Sequence, residues 1–214
     1  VTSTIERRLP LALAAWLAAA PAGATVPEAY QDLSLHYALI EAPAPAAFSV
    51  CHRHTCAEVS GVGLTPAQWD LVRQIFTPPA ANAAAERAMI RAAVGQLETA
   101  VSPLVGAEND RAGNLSGFLS GSSQMDCIDE STNTTTYLTM MQRDGLLRWH
   151  RVANPSTRGF IIFGWPHTTA VVEEVASGER WAVDSWFHDN GVPPEVLPID
   201  QWKSGWAPEG FPGF

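Results

Sequence analysis

The 214 residues carry 22 Asp and Glu against 13 Lys and Arg, a formal charge of −9, with 46% hydrophobic and 16% charged residues. That is enough for one domain with a real core and too little for two. A chain this acidic repels phosphate backbones and anionic lipid, which argues against nucleic acid as a partner.

Arg7 and Arg8, an apolar run from Leu9 to Ala20, and the small residues Ala22, Gly23 and Ala24 have the layout of a secretory signal cleaved after Ala24. The apolar run is about a dozen residues, short of the ~20 that span a bilayer. Residues 1–24 are therefore expected to be a removed leader, with no membrane attachment afterwards and a periplasmic or secreted location. Residues 25–214 are expected to form a single domain.

From Val26 to Ala47 apolar and polar residues alternate around "APAPAAF", whose prolines predict an extended surface strap rather than a helix. "GLTPAQWDLVRQIF" predicts a helix with Thr65 as N-cap, Pro66 in the first helical position, and Trp69, Val72 and Phe76 on one face. Met89, Ile90, Ala93, Val94, Leu97 and Val101 recur at spacings of three and four, predicting a helix from Ala83 to about Val101 that ends near Pro103. The Gly-, Ser- and Asn-rich "GAENDRAGNLSGFLSGSS" reads as a long loop delivering the chain to Cys127. The next helix is expected from Ile128 to Asp144, with Asp129 and Glu130 in its first turn, Met140 and Met141 in the core, and Gly145 as its stop.

Beyond Gly145 the period changes. "RGFIIFGW", "HTTAVVEEV" and "ERWAVDSWF" are β-branched and aromatic runs that predict three strands, the last two an antiparallel hairpin. The Pro-, Gly- and Trp-rich tail from Asn190 reads as a wrapped surface segment. Helices, then a Cys-bearing helix, then a small antiparallel sheet make an α+β domain.

The three cysteines are Cys51, Cys56 and Cys127. "CHRHTC" admits a local disulfide, favoured in an oxidising compartment, or a Zn or Cu site using His52 or His54. With Cys51 and Cys56 bridged, Cys127 is a thiol left over. At a helix N-terminus the macrodipole lowers a thiol's pKa. His167, opening one strand, can take its proton, and Asp184, in the next, can fix the imidazole tautomer. Gln124 could donate its amide to an oxyanion alongside the Cys127 N–H. Trp165 and Trp186 could wall a cleft. Each residue also has a plainer reading: a small buried Cys, a strand-ending His, an Asp paired with Arg158.

The runs "DCIDESTNTTTYLTMMQRDGLLRWHRV", "PHTTAVVEE" and "ERWAVDSW" resemble the core of the transglutaminase-like branch of the papain-type cysteine enzymes, over roughly Ser123 to Phe187. "DCIDES" and "VDSW" also resemble a group of exported bacterial proteins. The family resemblance implies a papain/transglutaminase-like core with Cys127 as nucleophile, His167 as base and Asp184 as orienter. It further implies hydrolysis or acyl transfer on a peptide, isopeptide or related amide, with a peptide or protein as substrate and no cofactor or metal. Three features depart from the family. Asp126, Asp129 and Glu130 crowd Cys127 with negative charge, which raises a thiol's pKa. Thr169 stands where the family often has Trp. A tight "ASG" turn would set Asp184 opposite Val171 and His167 near His188 and Asp189, making Asp189 the reserve orienter. The readings that compete with an enzyme are a binding or envelope-scaffold module on the same fold and a metal-binding protein built on "CHRHTC".

Overall fold

A computed structural model describes residues 25–113, 124–159 and 166–211. The expected leader, most of "RGFIIFGW" including Trp165, and the second half of the long loop lie outside them. The described residues fold as five helices and two small antiparallel sheets, an α+β arrangement.

The first departure from expectation is α1, Glu28–Tyr37, where a strap was predicted. The prolines of "APAPAAF" lie beyond its end, and Pro27 stands just before its first turn, where a missing N–H costs nothing. Helix α2, Pro66–Ile75, has the expected Thr65 cap, closed into a capping box by Gln68, and buries Trp69 and Val72. Helix α3, Ala83–Val105, runs past the predicted stop: Pro103 lies inside its last turn, and Gly106 at φ 72° ends it. A proline there forfeits one backbone bond near an end that frays anyway. Its buried stripe is Ile90, Ala93, Val94, Leu97 and Val101.

Helix α4, Cys127–Arg143, is the centre of the molecule and packs against α1, α3 and both sheets. Asp126 caps it, accepting from the Ile128 and Asp129 N–H groups. Its polar middle, Thr132 to Thr136, is buried. The Thr135, Thr136 and Thr139 hydroxyls each donate to the carbonyl four residues back, so burial leaves them satisfied. Tyr137, Leu138, Met140 and Met141 join the core, and full burial of such a side chain contributes about 1.5–3 kcal/mol.

Strands β1, Phe48–His52, and β2, Glu58–Val62, form a hairpin absent from the sequence reading. Its connection is closed by the Cys51–Cys56 disulfide. Asn133 of α4 clasps β1, accepting from the Cys51 N–H at 2.7 Å and donating to the Cys51 carbonyl at 2.8 Å.

The second sheet has the order β3-β4-β5-β6. Strand β3, His150–Arg158, lies earlier than the predicted "RGFIIFGW". Its pairing with β4, His167–Glu174, shifts between Ala153 and Ser156, so Asn154-Pro155 is accommodated in a bulge instead of ending the strand. Strand β5, Arg180–Asp184, forms the expected hairpin with β4. The tail is no mere wrapping: it supplies β6, Glu195–Pro198, and helix α5, Ile199–Lys203. On one sheet face Ala170, Val172 and Val183 meet α4; on the other Val171 and Ala182 meet Leu197, Ile199 and Trp202. Burial on both faces explains why "AVV" in β4 is an unbroken apolar run.

Candidate active site

The Cys127 thiol starts the first turn of α4. Cys127 is partly buried and is the one cysteine outside the disulfide. The backbone N–H of Thr168, the residue after His167, is near enough to act on its sulfur, as is Cys127's own N–H. The helix that packs on β4 thus delivers the sulfur to the residue pair that opens that strand.

His167 is 2% exposed, its ring set among Trp186, Phe187 and Trp202 at centroid distances of 4.6, 5.3 and 5.4 Å. Its Nε2 lies 2.7 Å from Asp184 Oδ2. The same oxygen accepts from the Trp202 indole N–H at 2.6 Å. An indole can only donate, so Oδ2 is an acceptor and His167 Nε2 carries the hydrogen. The proton-free nitrogen is then Nδ1, which is buried and has no hydrogen-bond partner among the described residues.

The hairpin register differs from the tight-turn expectation. Glu173 pairs with Arg180 and Ala170 with Val183, and the Glu174 N–H bonds the Glu179 carbonyl. The turn is therefore Val175 to Gly178, one residue longer than "ASG". Continued along the strands, this register puts Asp184 level with Thr169, two residues from His167 on the same face. His167 and Asp184 meet as diagonal neighbours. Asp189, the reserve, is engaged elsewhere: it accepts from Arg111 at 2.7 Å and from the Ala112 N–H at 3.0 Å, bonds that hold its carboxyl below the usual range. Arg158 does not bond Asp184; it lies over the Trp202 ring, 4.5 Å from its centroid, and donates to the Trp202 carbonyl.

Gln124 is buried, its amide nitrogen donating to the Asn109 carbonyl at 2.9 Å and its oxygen accepting from the Arg111 N–H at 3.2 Å. Those two bonds fix the plane of the amide just ahead of Cys127.

The three acids expected to crowd the thiol have separate engagements. Asp126 caps α4 and accepts from the Thr55 N–H at 3.0 Å. Asp129 accepts from the His54 and Cys56 N–H groups, each at 2.7 Å. Those two acids therefore hold the disulfide turn, in which Arg53, His54, Thr55 and Cys56 all have positive φ between 53° and 64°. Four successive non-glycine residues in the left-handed region are strained, and the carboxylates and the disulfide together keep them there. Glu130 turns the other way and accepts from Ser185 at 2.7 Å.

Burial is consequently the main influence on Cys127 and pushes its thiol up to about 12; the Thr168 N–H opposes it, while the negative charges of Asp126 and Asp184 add to it. Burial likewise raises Asp129 to about 7, with Asp126 adding to the effect. Cys51 and Cys56 are bonded to each other, so neither sulfur is available to a metal. Among the described residues no group of three His, Cys, Asp or Glu is arranged to hold a metal ion. An open polar cleft of about 550 Å³, lined by Arg151, Asn154, Glu173 and Arg180, lies by Gln142. At ~1.5 Å per residue that is roughly 22 Å along α4 from Cys127, too far to serve this site.

Sequence reasoning missed Trp202. Nothing in "IDQWKSGW" announces that this indole closes on Asp184; only the tail's density of tryptophans hinted at burial. The chain matches no protein-family model, no curated protein and no solved structure.

Proposed function

We propose that this chain is an exported cysteine-dependent hydrolase or acyltransferase acting on a peptide, isopeptide or related amide through a Cys127 acyl-enzyme, on a papain/transglutaminase-like core. One observation carries the reading. A buried His167–Asp184 pair leaves an unpartnered Nδ1, and the N–H of the next residue, Thr168, is near enough to act on the only thiol outside the disulfide, at the first residue of a helix.

In this reading His167 Nδ1 takes the Cys127 proton as the sulfur attacks the substrate carbonyl carbon. Asp184, held by Trp202, steadies the imidazolium. The α4 N-terminus and the Cys127 N–H stabilise the developing oxyanion, with Gln124 able to add only the amide hydrogen it does not give to Asn109. Collapse breaks the C–N bond, and the departing amine takes the proton from His167. Water, deprotonated by His167, then attacks the thioester and releases the acid and the free thiol. An amine in place of water gives transfer. Hydrolysis is preferred because water is abundant and the sequence offers no acceptor pocket.

A disulfide is compatible with an oxidising compartment, and no helix among the described residues is long and apolar enough to cross a membrane. Both agree with export. A second reading, a non-catalytic binding or envelope-scaffold module, draws on the thiol at about 12, which keeps Cys127 protonated in the resting protein. Incubation with peptide thioesters and isopeptides, followed by mass spectrometry, separates the two. An acyl adduct on Cys127 that is absent from Cys127→Ala supports the enzyme. No adduct across the panel, with wild type folded, leaves the module.

A further inference from the structure

Glu98 on α3, Asp110 beyond it and Glu130 on α4 are drawn from three stretches of chain into one buried place, each at least nine-tenths covered. Glu98 Oε2 accepts from the Gly191 N–H at 3.1 Å, Asp110 Oδ1 from the Met125 N–H at 2.8 Å, and Glu130 Oε2 from the Ser185 hydroxyl at 2.7 Å. The Ser185 hydroxyl also neighbours Glu98, and the Asp110 and Glu130 carboxyls are close enough to act on each other. Glu98 Oε1 is buried with no partner. The other titratable groups facing the cluster are Tyr137 of α4 and Asp189, whose carboxylate is occupied by Arg111. No Lys or Arg among the described residues pairs with any of the three.

Two ionised carboxylates have no hydrogen to share, so Asp110 and Glu130 can bond each other only with a proton on one of them. Three adjacent charges with no cation, out of water, cannot coexist at any reasonable cost. We infer that Glu98, Asp110 and Glu130 form a proton-sharing lock that joins the chain around Cys127 to the chain around Asp184 and that opens when its protons are removed. Its grips lie on either side of the candidate site. Asp110 holds Met125, two residues before Cys127; Glu130 lies three residues after it; Ser185 follows Asp184. The lock does not depend on Cys127 being a nucleophile.

Burial raises Asp110 to about 6, Glu98 to about 8 and Glu130 well above its ordinary value; Asp110 adds to the rise of Glu98, Glu98 and Asp110 to that of Glu130, while for Asp110 the charge of Asp189 adds and Glu130 opposes. The folded chain therefore holds more protons than the unfolded one between about pH 4 and pH 8, and stability falls as pH rises through that window. Asp129, at about 7, titrates in the same window from another place. The part of the slope belonging to the lock is thus the part that Glu98→Gln removes.

The test is urea unfolding of the full chain from pH 4.5 to 9, with infrared spectroscopy of the wild type. For each extra proton retained by the folded state, the folded-to-unfolded ratio should fall about tenfold per pH unit. Glu98→Gln, with similar shape and no charge to lose, should flatten the slope and exceed wild-type stability at pH 9. The wild type should show a protonated-carboxyl band at pH 6 that fades by pH 9. Unchanged slope in Glu98→Gln overturns the lock. Should that variant fail to fold, the band is read in Asp129→Asn, which removes the other acid titrating in this window: its absence at pH 6 overturns the proposal, and its loss in step with destabilisation supports it.

Discussion

The proposed chemistry can be tested on Cys127 alone, with no substrate. A thiol at about 12 is ionised at pH 7 in about one molecule in 10⁵. An ordinary thiol near 8.5 is about 3% ionised there, so burial and the nearby carboxylates together make the folded chain react some three thousandfold more slowly with iodoacetamide than the unfolded chain. The slowing is at least that large, since a partly covered sulfur also meets the reagent less often. If His167 Nδ1 receives the proton, the reactive thiolate forms with an imidazolium beside it, and labelling at pH 7 should exceed the floor by at least about tenfold. His167→Ala should then slow labelling by at least about tenfold, the equivalent of one pKa unit or 1.4 kcal/mol. Asp184→Ala should act in the same direction but less, because Asp184 orients the ring without touching sulfur. The assay is alkylation of the native protein across pH 5 to 10, normalised to the urea-unfolded chain. Equal rates in wild type and His167→Ala, with both folded and with rates rising tenfold per pH unit without a shoulder, would refute the pairing.

Thiol titration of the denatured, unreduced protein should find Cys127 as the only free thiol. Cys51→Ser with Cys56→Ser should cost about 2 kcal/mol in urea unfolding, the loop-closure value for a bridge this short, and should release the left-handed turn from Asp129. Trp202→Phe keeps a ring against His167 but removes the indole donor to Asp184, so it should cost about 1.5–3 kcal/mol and broaden the pH dependence of Cys127 labelling. Glu86, buried and accepting from the N–H groups of Arg148, Trp149 and His150 and from the His150 ring, is held below its ordinary value by those bonds against the upward push of burial. Its contribution is present above the unfolded carboxyl pKa and lost as pH falls below it, so Glu86→Gln should destabilise most at neutral pH, by about 3 kcal/mol, and progressively less toward pH 3.

What the sequence disclosed is what local chemistry encodes. The Thr65 cap, the α3 stripe, the Gly145 stop and the β4–β5 hairpin all carry their signal within a few residues. The β1–β2 hairpin was illegible because its turn takes a conformation that Arg, His, Thr and Cys rarely adopt, imposed by carboxylates some seventy residues away in sequence. Strand β3 was hidden by Asn154-Pro155, which reads as a break unless a bulge absorbs it. At the candidate site the residue types and their order were legible. The register was not: a two-residue shift, Asp184 level with Thr169 instead of Val171, decides whether His167 reaches Asp184. The lock acids are spread over 32 positions, and no sequence window shows them as neighbours.

That difference in scale also changes the account of the thiol. By sequence, Asp126, Asp129 and Glu130 act together on Cys127 as three nearby charges. In the fold Asp129 is turned toward the disulfide loop and Glu130 toward the buried acids, which leaves burial as the chief influence and Asp126 as a lesser one. Asp126→Asn should therefore speed Cys127 labelling only severalfold, because it removes one partly screened charge and still offers a side-chain oxygen to cap α4. A larger acceleration would mean that charge rather than dehydration keeps the sulfur protonated. If dehydration does so, the sulfur is held inactive by the same close packing that sets His167 between Trp186, Phe187 and Trp202.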